Sequence, residues 1–237
     1  MKRKEFLKNG AILLSLGSVL NGCSKENAVM ASSGEAAADA GTACNTTPSE
    51  VAGPYEIDLI KNSTIYRSDI REDRTGLPLD LRLQVNEVNA NCAPIKNARV
   101  DIWHCDKDGY YSGFVNDGYL GAIDNSGKTF LRGIQLTNKN GIVDFATIFP
   151  GWYPSRITHI HLEIFINNVS VKTAQIAFPD KINRKVYSSP DYLGHGQNTT
   201  VLRNIDDPVF KDSLANELCT IDKASPTGIK ASFVLGI

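Results

Sequence analysis

The sequence has few histidines and tryptophans, no excess of basic residues and no hydrophobic run long enough to cross a membrane as a helix. Its 237 residues include four histidines and two tryptophans, and the formal net charge is −1 at pH 7. Because Lys and Arg are neither in excess nor gathered in a stripe, the electrostatic signature of nucleic-acid binding is missing. The N-terminal apolar run, Ala11–Leu20, is shorter than the roughly 20 residues that span a bilayer. Nucleic acid is therefore not expected as a partner.

The first 43 residues are expected to lie outside the folded domain. Basic residues between positions 2 and 8 precede the short apolar run, an order typical of a signal peptide. The run ends in Leu20-Asn21-Gly22-Cys23, which resembles a bacterial lipobox, whose cysteine is lipidated and begins the mature chain. Ser24–Ala43 has almost no large apolar residues, as in a flexible tether. We expect a signal peptide at 1–22, lipidated Cys23 and a tether at 23–43, and a domain at 44–237, held by the lipid at the bacterial cell envelope.

The export route stays open at this stage. The segment from Arg3 to Lys8 resembles a twin-arginine signal whose second arginine is replaced by Lys4. A plain signal peptide followed by a chance cysteine is the alternative to lipidation.

Four cysteines, Cys44, Cys92, Cys105 and Cys219, remain in the expected domain. An even number in an exported chain permits two disulfides, and the spacing matches no zinc motif. Cys92 is not expected to pair with Cys105, because the strand predicted between them separates its ends by roughly 20 Å. The pairing is otherwise open.

The expected domain is predicted to be an all-β sandwich of short, mostly antiparallel strands with a long irregular C-terminal segment after Pro179. Alternating apolar and polar residues mark half-buried strands, and short strands separated by turn residues are typical of a sandwich or barrel. Asn-Gly and Asn-Asn pairs predict two hairpins. The predicted strands are Leu81–Val88, Ala98–His104, Phe130–Leu136 with Ile142–Phe149, and Thr158–Ile166 with Val171–Phe178.

The clearest chemical signal is the run from Gly151 to Glu163, which contains His159 and His161. Residues two apart on a strand point to the same face, so the two imidazoles project together as natural metal ligands. Glu163 shares that face and would complete a two-histidine, one-carboxylate set, so a zinc hydrolase is one alternative, although no zinc-hydrolase motif is present.

A second cluster, Trp103–Ser112, combines with the first into a specific pattern. Val-Asp-Ile-Trp-x-x-Asp-x-x-Gly-x-Tyr-Ser at 100–112 and Pro-Gly-Trp-Tyr-x-x-Arg-x-x-His-Ile-His at 150–161 resemble the intradiol ring-cleavage dioxygenases, the family of catechol 1,2- and protocatechuate 3,4-dioxygenases. The resemblance runs from Gly53 to near the C-terminus. It implies insertion of both atoms of O₂ into a catechol-type ring to give a cis,cis-muconate-type diacid.

The resemblance also implies one ferric ion per chain, bound by Tyr111, Tyr153, His159 and His161. Tyr111 is preferred over Tyr110 because the family's ligand commonly precedes a serine. Two phenolates offset much of the charge of Fe(III), whereas ferrous oxygenases use two histidines and one carboxylate.

Other roles are implied for residues around the expected metal. Arg156 would stabilise negative charge on bound substrate, with a structural salt bridge as its alternative, and Gln175 would be a polar catalytic-pocket residue. Substrate-binding contacts are expected from Pro54, Tyr55, Trp103 and Arg156. His104 and His195 are expected to be a strand-end and a loop residue.

Two departures from the family concern the pocket and the assembly. Only five residues separate Tyr153 from His159, where cytoplasmic members have a longer insertion, and the helical region that catechol-type members use to dimerise has no counterpart. The substrate and the oligomeric state are therefore open. A cell-surface binding module with a vestigial metal site is the alternative to an enzyme.

Overall fold

The computed structural model describes residues 44–237. The predicted signal peptide, lipidated Cys23 and tether lie outside the described residues. Within 44–237 the chain forms eleven strands, one α-helix and six short 3₁₀ helices. The strands are β1 Pro78–Glu87, β2 Ala93–Pro94, β3 Arg99–Trp103, β4 Val115–Gly118, β5 Gly121–Asp124, β6 Arg132–Leu136, β7 Ile142–Ile148, β8 His159–Ile166, β9 Val169–Ala177, β10 Thr220–Ser225 and β11 Gly228–Gly236; α1 is Asp180–Tyr187, and the 3₁₀ helices are Ser63–Ile65, Val88–Ala90, Pro190–Tyr192, Asn204–Asp206, Phe210–Asp212 and Leu214–Asn216.

Two sheets pack face to face, as the predicted sandwich requires. In the first sheet β1 lies between β11 and β7, with β10 beyond β11 and β2 at the far end of β1. The second sheet has the order β6-β3-β8-β9, and β4 and β5 form a separate hairpin. Leu79, Leu81, Leu83 and Val85 of β1 are buried in one core cluster together with alternate residues of β3 and β8. This period-2 burial removes apolar surface from water between the sheets and is the main stabilising contribution.

One of the two predicted hairpins is confirmed and the other is wrong. β8 and β9 pair across Asn167 and Asn168, both of which have positive φ, as a tight hairpin turn requires. The turn at Asn140-Gly141 instead joins β6, which pairs with β3, to β7, which pairs with β1. A local turn signal cannot specify whether the flanking strands pair with each other or enter different sheets.

The C-terminal segment is only partly irregular, which corrects the prediction. Short 3₁₀ helices follow α1 as far as Asn216, but β10 and β11 form a hairpin, and β11 runs parallel to β1. Alternate residues of β11 from Ile229 to Leu235 are buried, so this strand completes the core. Among residues 44–237 no helix is long and apolar enough to span a membrane.

One disulfide forms in the described part of the chain. Cys44 is bonded to Cys92 with a Cα–Cα distance of 5.7 Å, and Cys105 and Cys219 are free and buried. The exclusion of a Cys92–Cys105 pair is confirmed, and the second disulfide that an even count permits is not formed between these residues.

The segment after Cys44 connects this disulfide to one end of the second sheet. Glu50 donates its N–H to Thr173 O at 2.9 Å, and the Gln175 side chain donates to Val51 O at 2.8 Å. We call residues 44–58 the N-terminal strap. Its later residues cover the side chains described next.

Candidate active site

A row of four side chains crosses the second sheet at one level. In the strand register, Arg132 of β6 lies opposite Trp103 of β3, Trp103 opposite His161 of β8, and His161 opposite Gln175 of β9. All four residues are almost completely buried. The Trp103 and His161 rings stack, with centroids 5.0 Å apart and planes 3° apart. The sheet therefore fixes the orientation of His161 through its neighbours.

His159 and His161 share a face of β8, as their spacing predicts. Ile160, Leu162 and Ile164 point into the core on the opposite face. The Nε2 atoms of the two histidines lie 3.1 Å apart. Glu163 is on the histidine face, but its Oε1 accepts a hydrogen bond at 2.6 Å from the hydroxyl of Ser170 on β9. One oxygen of the Glu163 carboxylate is therefore already bonded to another side chain.

Tyr111 follows a tight turn. The Asp106 carboxylate accepts hydrogen bonds from the N–H groups of Asp108 and Tyr110, each at 3.0 Å, and Asn116 Oδ1 accepts one from Tyr111 N at 2.6 Å. Gly109, at φ +89°, closes the turn. These bonds hold the Tyr111 backbone, and its ring is fully buried.

Tyr153 is carried by a second segment that touches the same turn. Gly151 donates its N–H to Asp106 O at 3.0 Å. A Cβ at position 151 would lie 2.4 Å from Lys107 O, so the two segments approach each other this closely only with glycine there. The approach places Tyr153 beside Tyr111, with ring centroids 5.7 Å apart.

The polar atoms of the two tyrosines and two histidines converge. Tyr153 Oη lies 3.1 Å and Tyr111 Oη 3.4 Å from His159 Nε2. His159 Nδ1 lies 2.6 Å from Ile157 O, so the Nδ1–H tautomer donates there and the Nε2 lone pair faces the other three side chains. The four side chains thus present their polar atoms to one small volume.

The protonation of these groups follows from burial. Burial, aided by the Arg156 guanidinium, holds the pKa of both histidines well below its usual range, so both are neutral, as metal ligands must be. Burial raises the pKa of Tyr153 to about 12 and that of Tyr111 well above its ordinary value. Each tyrosine is a phenol unless a bound cation deprotonates it.

These residues fit a single transition-metal ion. Donor atoms about 2 Å from one ion and in adjacent coordination positions lie roughly 3 to 3.5 Å from each other. His159 Nε2 lies 3.1–3.4 Å from the other three polar atoms, which matches this spacing. His161 Nδ1 is buried and has no hydrogen-bond partner among the described residues, so the orientation of this ring is held by its stacking on Trp103.

Arg156 lies beside the cluster in a buried network. Its Nε donates to both oxygens of Asp207, at 3.1 and 3.0 Å, and its Nη2 donates to Gln175 Oε1 at 2.5 Å. The predicted salt-bridge alternative is thus present. Nη1 makes no hydrogen bond to any residue in 44–237, so this part of the charged group remains available to a ligand.

The structure brings most of the remaining predicted residues to the same place. Tyr55 of the N-terminal strap stacks on Tyr111, with centroids 4.3 Å apart and planes 16° apart, and Pro54 precedes it. His104 is a buried strand-end residue that bonds Thr147, and His195 is a loop residue stacked on Trp152. Neither is part of the tyrosine and histidine cluster.

Two residues that shape this site, Asp207 and Gly53, are not among those predicted from the sequence. Asp207, fully buried, pairs with Arg156 from 51 positions away and carries no motif of its own. Gly53, at φ +76°, lies so close to His161 that a Cβ would come within 3.2 Å of the ring. The Gly-Pro-Tyr run at 53–55 could have predicted a role for Gly53 at the site, whereas no motif near Asp207 in the sequence indicates one.

Comparison with known proteins agrees with this geometry. A family model described as "Dioxygenase" matches residues 52–187. The solved structure of an intradiol ring-cleavage dioxygenase from Tetranychus urticae is similar, with 34% sequence identity, a TM-score of 0.71, and coverage of 82% of this chain and 95% of the other.

The chain belongs to the intradiol ring-cleavage dioxygenase family.

Other members of the family are more distant. A catechol 1,2-dioxygenase of Acinetobacter baylyi is 32% identical over 110 residues, which cover 46% of this chain and a third (33%) of that protein. The 3-chlorocatechol 1,2-dioxygenase structure from Rhodococcus opacus 1CP shares the fold at 22% identity, with a TM-score of 0.52 over 81% of this chain and 72% of the other. The intradiol dioxygenase fold therefore carries the cluster of two tyrosines and two histidines in this chain.

Proposed function

We propose that this chain is a non-haem Fe(III) intradiol dioxygenase that inserts both atoms of O₂ into a catechol-type ring to give a cis,cis-muconate-type diacid. The observation that supports it best is the convergence of Tyr111, Tyr153 and His161 on His159, whose Nε2 lies 3.1–3.4 Å from the polar atoms of the other three. These four side chains would hold one ferric ion. When bound, the ion supplies a Lewis acid that orients the diol and draws electron density from its ring.

The different burial of the two tyrosines supports different roles for them. Tyr111 is completely buried, whereas Tyr153 is partly exposed. Tyr153 is therefore the phenolate that an incoming diol can displace, and its oxygen can accept one of the protons that the diol loses on binding. Tyr111 stays in place beneath the Tyr55 ring.

Arg156 and Gln175 form the polar side of the pocket. The ion pair with Asp207 and the bond to Gln175 hold the guanidinium in one orientation. Its charge offsets negative charge that develops on the ring during the reaction. Pro54, Tyr55 and Trp103 supply the apolar and aromatic surface against which a catechol ring packs.

The location that we propose is the bacterial cell envelope, with the chain anchored by lipid at Cys23. The lipobox-like sequence supports it. The disulfide between Cys44 and Cys92 is compatible with it, since disulfides persist in oxidising compartments.

The deciding experiment is a visible spectrum and metal analysis of the purified full chain, followed by anaerobic catechol titration and assay of the diacid with O₂. One iron per chain, a tyrosinate-to-iron absorption band and diacid formation are expected. Arg156→Ala should keep the iron and the band but lose turnover about 10²- to 10³-fold.

Two results contradict the proposal. A colourless protein holding zinc favours the hydrolase alternative. A coloured iron protein that binds catechols without forming diacid favours a binding module with a vestigial site.

A further inference from the structure

Arg132 is a buried arginine next to the proposed iron ligands. It lies in β6, only 3% exposed, and opposes Trp103 in the row that contains His161. Among residues 44–237 no carboxylate lies within salt-bridge distance of its guanidinium. An unpaired buried cation is costly, because it has lost its hydration without gaining a counter-charge.

Two other arginines of this sheet region show the usual solution. Arg99 is 8% exposed and its Nε donates to Asp101 at 2.9 Å. Arg156 is 9% exposed and pairs with Asp207 at 3.0 Å. Arg132 is as buried as Arg99 and Arg156 but has no carboxylate partner in the part of the chain that the structure describes. Its positive charge therefore needs another source of negative charge.

The contacts of Arg132 point to the backbone that carries Tyr111. Its Nε donates to Ser112 Oγ at 3.0 Å and its Nη2 to Ser112 O at 2.8 Å. The Ser112 hydroxyl in turn donates to Phe130 O at 2.7 Å. The guanidinium is therefore hydrogen-bonded to Ser112, the residue directly after Tyr111, and its positive charge lies beside this residue.

We propose that Arg132 is the counter-charge for the Tyr111 phenolate, a positioning residue that strengthens metal binding without touching substrate. This inference rests on the proposed iron site. A neutral Tyr111 phenol offers Arg132 no negative charge, whereas a metal-bound phenolate does. In a medium of low dielectric constant the attraction between the two charges is strong. The cost of burying the cation in the metal-free protein is then offset when the metal is bound.

The test compares Arg132→Met with wild type, both with and without iron, in the full chain. Methionine keeps an unbranched, though shorter, side chain and removes the charge, so the metal-free variant should be at least as heat-stable as metal-free wild type. Its affinity for Fe(III) should fall about 10- to 100-fold, as when an outer-shell partner of a ligand is removed. The tyrosinate band should move to longer wavelength, because a phenolate without its counter-charge gives up electron density more easily.

Arg99→Met is the matched control. It removes a buried arginine that has its own carboxylate and does not contact Ser112. It should lower the melting temperature equally with and without iron and leave the band where it is. Arg132→Lys keeps the charge but loses the planar guanidinium that bonds Ser112 through two nitrogens. Its band should therefore stay near the wild-type position.

The outcomes separate this inference from the proposed function. Wild type that binds no iron contradicts the proposed function itself. Iron-binding wild type with an Arg132→Met variant of unchanged iron affinity and band overturns the role of Arg132 alone. If Arg132→Met does not fold, the lysine variant decides: an unshifted band supports a charge role, and a band shifted to longer wavelength despite the retained charge overturns it.

Discussion

Arg156 and Asp207 form a buried ion pair in which Arg156 Nε lies 3.1 and 3.0 Å from the two carboxylate oxygens. The same carboxylate accepts N–H bonds from Ile157 at 2.7 Å and Val209 at 2.9 Å. Asp207 therefore ties the irregular C-terminal segment to the loop that leads into the histidine strand. Both the orientation of Arg156 and the position of this loop depend on one side chain.

Asp207→Asn should weaken both functions of this carboxylate. The variant leaves a buried guanidinium without its counter-charge, so the free energy of unfolding should fall by about 3–5 kcal/mol. Turnover of catechol should fall more than iron content, because Arg156 keeps only its bond to Gln175 while the four proposed ligands remain. The neighbouring Asp206→Asn removes only a surface pair with Arg203, which is screened by solvent, and should leave stability nearly unchanged. Equal effects of the two variants would contradict this assignment.

Replacement of the two proposed tyrosine ligands by phenylalanine should have different effects on iron binding and on catechol binding. Tyr111→Phe should lower iron affinity and alter the visible band, because the buried, permanent phenolate is gone. Tyr153→Phe should keep iron but bind catechols poorly, since no displaceable phenolate remains to take a proton. Iron analysis, the visible spectrum and anaerobic titration with catechol measure these effects.

Tyr110→Phe is the control for both variants, because the Tyr110 hydroxyl donates to Gly121 O at 2.7 Å instead of joining the cluster. It should retain iron, band and turnover. Near-normal catechol binding and turnover by Tyr153→Phe would contradict the proposal that an incoming catechol displaces Tyr153.

The disulfide should contribute strongly to stability. Cys44 and Cys92 enclose a loop with a sequence separation of 48, and closing a loop of that length restricts the unfolded chain by about 4 kcal/mol in the chain-entropy description. The Cys44→Ser/Cys92→Ser double variant should unfold at correspondingly lower urea concentration. Reductant should lower the wild-type midpoint to that of the double variant and leave the variant unchanged. A reductant effect of similar size on the double variant would mean that another cysteine is responsible.

Stability should fall as pH rises through neutrality because of Glu217. Burial, together with the neighbouring Glu50 carboxylate, raises the pKa of Glu217 from 4.5 to about 7, although a bond from Ser213 opposes the rise. The folded chain then binds this proton more tightly than the unfolded chain does, so the stabilisation is complete below about pH 4.5 and is lost as pH rises through 7. Glu217→Gln should reduce the fall in melting temperature between about pH 5 and pH 8.

The exposed Glu87 provides the comparison for this pH effect. Glu87→Gln should keep the wild-type dependence of melting temperature on pH. If Glu217→Gln keeps it too, another group causes the dependence.

The proposed lipid anchor is tested by Cys23→Ser. Loss of the thiol removes the attachment point, so protein from fractionated cells should move from the membrane to the soluble fraction. Serine is nearly isosteric with cysteine, and the rest of the signal is unchanged. Continued membrane association would show that Cys23 is not the anchoring residue.

The sequence by itself determined the fold class and the ligand set that we propose. Period-2 alternation in β1 and β8 is enough to predict half-buried strands, and the spacing of His159 and His161 places both on one face, because adjacent strand residues alternate sides. The Asn167-Asn168 hairpin was equally readable, since its geometry depends on two turn residues. These properties are local, so a short window of sequence contains their cause.

Only the tertiary structure decided which distant elements meet. The strand pairings of β6 and β7, the parallel addition of β11 to β1 and the pairing of Cys44 with Cys92 all depend on how the sheets pack. The same holds for Asp207 beside Arg156 and, within residues 44–237, for the absence of a carboxylate beside Arg132. Contacts between residues tens of positions apart are selected by the whole core, because burial and counter-charge depend on every element that surrounds a side chain.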